Sequence, residues 1–126
     1  MTKTYKCLTI DDDPLFLRTL AFYIENIGWL ELIGKYSNPI LGAKAILKSK
    51  PDIVFLDMEM PHVDGSYLID WIGPSLSKMD TPPIIIIISS LVIPAESQLP
   101  MVNGYINKTH VTSADQLAYH IQAILE

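Results

Sequence analysis

The sequence predicts an α/β fold, a parallel sheet covered on both faces by helices, and three observations lead there. Short apolar runs rich in β-branched residues recur at even spacing, several stretches between them carry apolar residues at helical period, and two of the runs stop abruptly at aspartate. The chain has 126 residues, 49% of them hydrophobic, which is the size of one domain able to bury a core without metal or disulfide staples. Residues 1–126 are therefore read as a single domain.

Strand one is Cys7 to Ile10, ending at Asp11-Asp12-Asp13-Pro14, where Asp13 suits a helix cap and Pro14 the first turn. Leu17, Leu20, Ala21, Ile24 and Ile27 then form one stripe of a first helix, with Gly28 suited to a left-handed residue closing it. Leu30 to Tyr36 reads as strand two. Asn38-Pro39 repeats the cap signal ahead of a helix with Ala43, Ile46 and Leu47 inward and Lys44 and Lys48 outward. Pro51-Asp52 precedes Ile53 to Leu56, apolar at every position and so covered on both faces, and this third strand also ends in acid, at Asp57. After a loop from Met58 to Gly65 comes a short helix through Leu68, Ile69 and Ile72, stopped by Gly73-Pro74. Ile84 to Ile88 reads as a central strand closed by Ser89-Ser90. Between it and the fifth strand, Gly104 to Asn107, Pro94 and Pro100 leave at most Ala95 to Leu99 for a helix. Lys108 ends strand five, and Ser113 with Gln116 is a capping box for a last helix with Leu117, Ile121, Ile124 and Leu125 inward.

Composition excludes several classes. With 9 Lys+Arg against 14 Asp+Glu the net charge is −5, so direct nucleic-acid binding is not expected. The longest apolar run, Ile84 to Ile88, is far short of the ~20 residues that span a bilayer, and the start lacks the apolar stretch of a signal peptide, so a cytoplasmic protein without membrane contact is expected. The single cysteine, Cys7, has no internal disulfide partner and reads as core packing. His62, His110 and His120 lack metal-ligand spacing, and Met58 and Met60 read as packing.

Polar groups collect at strand ends: Asp11 and Asp12 after the first, Asp57 after the third, Ser89 after the fourth, Lys108 after the fifth. In an open α/β sheet ligands bind beyond the carboxyl ends of the strands, where strand order reverses. A lone aspartate before proline is a cap. Two adjacent acids with a third at a neighbouring strand end, and a lysine and hydroxyl beyond, are the pattern of a site. Carboxylates so crowded keep a proton or hold a cation, and an oxygen-only set suits Mg2+ with several waters.

These same residues carry a family resemblance. Ile10-Asp11-Asp12-Asp13-Pro14, Phe55-Leu56-Asp57-Met58-Glu59-Met60-Pro61 with Asp64-Gly65, Ile88-Ser89-Ser90, and Gly104-Tyr105-Ile106-Asn107-Lys108 closely resemble the receiver domain of two-component response regulators. The first half also resembles DNA-binding regulators of the Lyt type. The resemblance implies a flavodoxin-like, doubly wound five-stranded parallel sheet of order 2-1-3-4-5, and Pro94 and Pro100 in the short interval between Ser89 and Lys108 point to a shortened or irregular fourth helix. It implies that Asp57 accepts a phosphoryl group from a histidine kinase or phosphotransfer protein, and that Asp12, Asp11, Asp57 and the Glu59 backbone carbonyl hold Mg2+. Lys108 and Ser89 would contact phosphoryl oxygens, Ser89 and Tyr105 would form the switch, and the domain would be a phosphoacceptor rather than an enzyme. An effector domain, a partner protein or a second copy would meet the face of segment four, strand five and the last helix.

Two departures stand out. The family usually has proline, joined by a cis peptide, where Thr109 follows Lys108, and a non-proline cis bond costs ~2.5–4 kcal/mol, so the loop is expected to differ. The interval from Ser89 to Lys108 is a few residues shorter than usual. Leu91 and Glu59 occupy positions that tune hydrolysis of the phosphoryl group in this family, and both would prolong its life. The rival functions are a receiver-like interaction module working without phosphorylation and a Mg2+-dependent phosphohydrolase. The latter would need Glu59 as its proton-transfer acid.

Overall fold

A computed structural model describes residues 3–59, 65–90 and 101–126. The elements are β1 (Tyr5–Ile10), α1 (Pro14–Glu25), β2 (Leu30–Tyr36), α2 (Pro39–Ser49), β3 (Ile53–Leu56), α3 (Gly65–Ser77), β4 (Ile84–Ser89), β5 (Val102–Asn107), a 3-10 turn (Lys108–His110) and α4 (Ala114–Leu125). All four pairings are parallel, in the order β2-β1-β3-β4-β5. The expected helix at Ala95 to Leu99, with Leu91, Met60 and His62, lies outside the described residues.

Alternate residues of each strand serve opposite layers, as the two-residue period requires. Ile53, Phe55, Ile86 and Ile88 pack with Leu20 and Ile24 of α1 and Leu117 and Ile121 of α4. Val54, Leu56, Ile85 and Ile87 pack with Ala43 and Ile46 of α2 and Leu68, Ile69, Ile72 and Leu76 of α3. β3 is buried at every position, as its sequence implies. Cys7 is buried, and burial, followed by the charge of Asp52, pushes its thiol up to about 12, so it behaves as an apolar core residue.

The caps form where the sequence places them. Asp13 Oδ1 accepts the Leu15 N–H at 3.0 Å, Asn38 Oδ1 accepts those of Ile40 and Leu41, and Ser113 Oγ accepts that of Gln116 at 3.1 Å. Other local signals give way. α1 ends at Glu25 on an Asn26 cap, and Gly28 is not left-handed; among the described residues the positive φ angles belong to Lys50, at the end of α2, and Met101. Gly73-Pro74 does not stop α3, which runs on to Ser77. Pro74 lacks the N–H that would reach Asp70, an internal cost of ~3 kcal/mol, but both residues are exposed to water and the added turn buries Leu76 completely. Leu47 is 39% exposed rather than inward, because α2 rests on Ala43 and Ile46. At Gly42 α2 lies close on β1: a Cβ there would lie 2.6 Å from Ile10 Cδ1.

Candidate functional site

β1 pairs with β2 on one side and β3 on the other, so its carboxyl end lies at the reversal of strand order. The ladder continues one rung past each strand: Asp11 N–H donates to the Tyr36 carbonyl and Asp57 N–H to the Ile10 carbonyl, both at 3.0 Å. Two backbone hydrogen bonds, to β2 and to β1, thus hold the acids at the rim. Asp11 and Asp57 are each 3% exposed, Asp12 is half-buried, and one oxygen from each of the three lies within 4.8 Å of the others.

Lys108 enters from the far side on the 3-10 turn. Its Nζ is 2.9 Å from Asp11 Oδ2 and 3.7 Å from Asp57 Oδ1. No peptide among the described residues is cis, so Lys108–Thr109 is trans. Asn107 anchors the turn, its Oδ1 accepting from the Thr109 N–H at 2.9 Å and the Thr109 hydroxyl at 2.7 Å. The loop therefore places the lysine without the proline geometry. Phe16, in the first turn of α1, lies under the ammonium at 4.5 Å from its ring centroid, a cation–π contact. Sequence reading missed Phe16. Its signal is positional, since a residue early in a helix projects back toward the helix start and here toward the acids.

Charges in this pocket shift one another. Burial, then the neighbouring Asp11 charge, raises Asp57 to about 7; the Glu59 N–H, which donates to Asp57 Oδ1 at 3.2 Å, and the Lys108 ammonium pull against that rise, and Asp12 adds to it. For Lys108, burial draws the pKa down, but the Asp11 hydrogen bond and the charges of Asp11, Asp57 and Asp13 outweigh it, and the net shift is upward. The site is an acidic pocket with a captive ammonium.

Ser89 is buried in the last rung of β4, paired with Asn107 of β5, and Tyr105 stands opposite Ile87, half-buried against the α2/α3 layer. Ser89 Oγ lies 3.4 Å from Glu59 Oε1, and Ser90 Oγ donates to the same oxygen at 2.6 Å. The sequence had suggested neither Ser90 nor the Glu59 carboxylate as a contact. Asp13 is held to the site through its N–H, which donates to Asp11 Oδ1 at 2.9 Å, while its own carboxylate caps α1. His110 and His120, distant in sequence, stack with ring centroids 5.8 Å apart. Among the described residues the one group of three or more candidate metal ligands is Asp11, Asp12 and Asp57.

Comparison with known proteins decides the family. The response regulator receiver domain family matches residues 7–114. The chain belongs to this family. A response regulatory protein of Vibrio parahaemolyticus, itself uncharacterized, is 37% identical over 83 residues, covering 66% of this chain and 32% of that protein. The transcriptional regulatory protein BtsR of Escherichia coli is 33% identical over 69 residues, 55% of this chain and 29% of BtsR. The matched stretch thus spans about a third of these curated relatives. Among solved structures, the receiver domain of NarL from Mycobacterium tuberculosis superposes with a TM-score of 0.80 at 19% identity, over 96% of this chain and 95% of that one. The isolated receiver domain of RcsB from Salmonella enterica serovar Typhimurium, solved with the phosphomimetic BeF3-, gives 0.80 at 20% identity over 98% and 89%. The receiver domain described here has the flavodoxin-like fold its strand order implied, and two-component signalling is the setting of its family. No described helix is long and apolar enough to cross a membrane.

Proposed function

We propose that residues 1–126 act as one receiver domain and a phosphorylation-operated switch, with Asp57 accepting a phosphoryl group from a histidine kinase or phosphotransfer protein. The observation that carries this reading is a buried acid at the strand-order reversal with Lys108 Nζ 3.7 Å from its oxygen. An Asp57 oxygen attacks the phosphorus of a phosphohistidine; the P–N bond breaks, its electron pair leaves with the imidazole, and an acyl phosphate remains on Asp57. Asp11, Asp12, Asp57 and the Glu59 backbone carbonyl are the residues to hold Mg2+. The donors are all oxygen, and the 4.8 Å within which the three Asp oxygens lie is close to the ~4 Å across one octahedral cation. When bound, the ion supplies the positive charge that offsets repulsion between the acceptor carboxylate and the phosphoryl oxygens.

The remaining roles fall to the protein's own groups. Lys108 pairs with one phosphoryl oxygen as a point charge, and the Ser89 hydroxyl donates to another. Movement of Ser89 opens space for Tyr105, two rungs away on β5, and alters the face of β5 and α4. That face meets an effector domain, a partner protein or a second copy of the chain, and the protein works in the cytoplasm as a phosphoacceptor rather than a turnover enzyme. The phosphohydrolase alternative gains no support, because the Glu59 carboxylate is engaged by Ser90.

Beryllofluoride with Mg2+ tests the proposal. Shifts in amide NMR resonances around Asp57, Ser89 and Tyr105, absent in Asp57→Asn, are expected. No response at saturating beryllofluoride would leave the constitutive interaction module as the better reading.

A further inference from the structure

We infer that Glu59 is a latch that holds the switch serine strand in its resting position, a regulatory contact that rests on the phosphoacceptor reading of Asp57. Residue 59 grips two elements at once. Its N–H donates to Asp57 Oδ1 at 3.2 Å, and its carboxylate reaches the end of β4, 31 residues on in sequence, to accept from Ser90 Oγ at 2.6 Å with Ser89 Oγ at 3.4 Å. The Ser90 distance is that of a charge-assisted O–H···O− bond. The carboxylate is thus spent on the serines and stands apart from the cluster of Asp11, Asp12 and Asp57 oxygens.

The conflict with phosphorylation follows from hydrogen-bond inventory. A serine hydroxyl has one proton to donate, so Ser89 cannot serve Glu59 and a phosphoryl oxygen together. Ser90, tied to the same carboxylate oxygen, restrains the strand end that must move inward for Ser89 to reach its new acceptor. Phosphorylation must break the Glu59–Ser90 bond before the strand end can move, so the latch biases the domain toward the resting packing and sets a threshold for activation.

A charge effect alone would look different. If Glu59 merely repelled an incoming anion, removing Ser90 would change nothing. The test titrates the whole chain with beryllofluoride in excess Mg2+, following the Ser89 amide, for the wild type, Ser90→Ala, Glu59→Gln and the double variant. The latch predicts that Ser90→Ala and Glu59→Gln each tighten apparent beryllofluoride affinity by about fivefold, the weight of one net hydrogen bond, and that the double variant gains little over the better single one. Ser90→Ala within twofold of wild type, with or without a gain from Glu59→Gln, overturns the latch and leaves the Asp57 reading intact. A wild type that never responds overturns both, and the Asp57→Asn control tells the cases apart.

Discussion

Lys108 serves two carboxylates and favours Asp11, at 2.9 Å against 3.7 Å for Asp57, so the acid proposed to react is the less neutralised of the pair. Burial of that acid, with the Asp11 charge beside it, has a stability signature. Asp57 titrates at about 7 in the folded protein, against ~3.9 for an unperturbed aspartate. Between those values the native state holds a proton that the unfolded chain has lost, so the Asp57 contribution to stability falls as pH rises from about 4 to 7. In cation-free buffer Asp57→Asn is expected to stabilise the fold by about 1–3 kcal/mol at pH 8 and by much less at pH 4, measured by urea unfolding; an equal gain at both pH values would refute the coupling. Most of this pocket could be read in advance, because Asp11, Asp12, Asp57 and Lys108 are charged residues terminating apolar strands, where burial makes charge conspicuous. Phe16 could not, since an aromatic in an amphipathic helix reads equally well as core. The Glu59–Ser90 bond joins two loops whose meeting depends on the register of β3 with β4.

Elements show where local signals prevail and where packing overrules them. Asp13-Pro14, Asn38-Pro39 and Ser113 set helix starts because a cap needs only its own side chain and the next few N–H groups. Gly28 and Gly73-Pro74 misled because a helix end depends on the next apolar residue to bury; complete burial of Leu76 carries α3 past its proline. Gly104 has a meaning that sequence alone does not show. A Cβ on this β5 residue would sit 2.5 Å from Cδ1, 2.6 Å from Cγ1 and 2.9 Å from Cγ2 of Ile124, so α4 can lie down on the sheet only over a residue without a side chain. Gly104→Ala is expected to destabilise by about 1–3 kcal/mol, visible as a lower Tm, and adding Ile124→Ala should cost less than the sum of the two single changes. Simple additivity would mean that the helix already had room.

At the scale of the whole molecule, the strand order was legible only through resemblance, since periodicity shows that strands exist but not which ones are neighbours. The order sets a gradient of order across the sheet. β1, β3 and β4 are interior strands, and β3 is apolar and buried throughout, whereas the edge strands β2 and β5 are only partly covered. Native-state hydrogen exchange should follow it, with the amides of Ile53–Leu56 and Asp57 opening only on global unfolding and those of Val102–Tyr105 exchanging through smaller fluctuations. If β5 proved as protected as β3, the gradient would be absent. The buried strand β3 then acquires a mechanical sense: the pedestal beneath the acceptor acid is too stiff to yield, so a disturbance arriving at Asp57 spreads sideways, toward the lightly covered margins of the sheet.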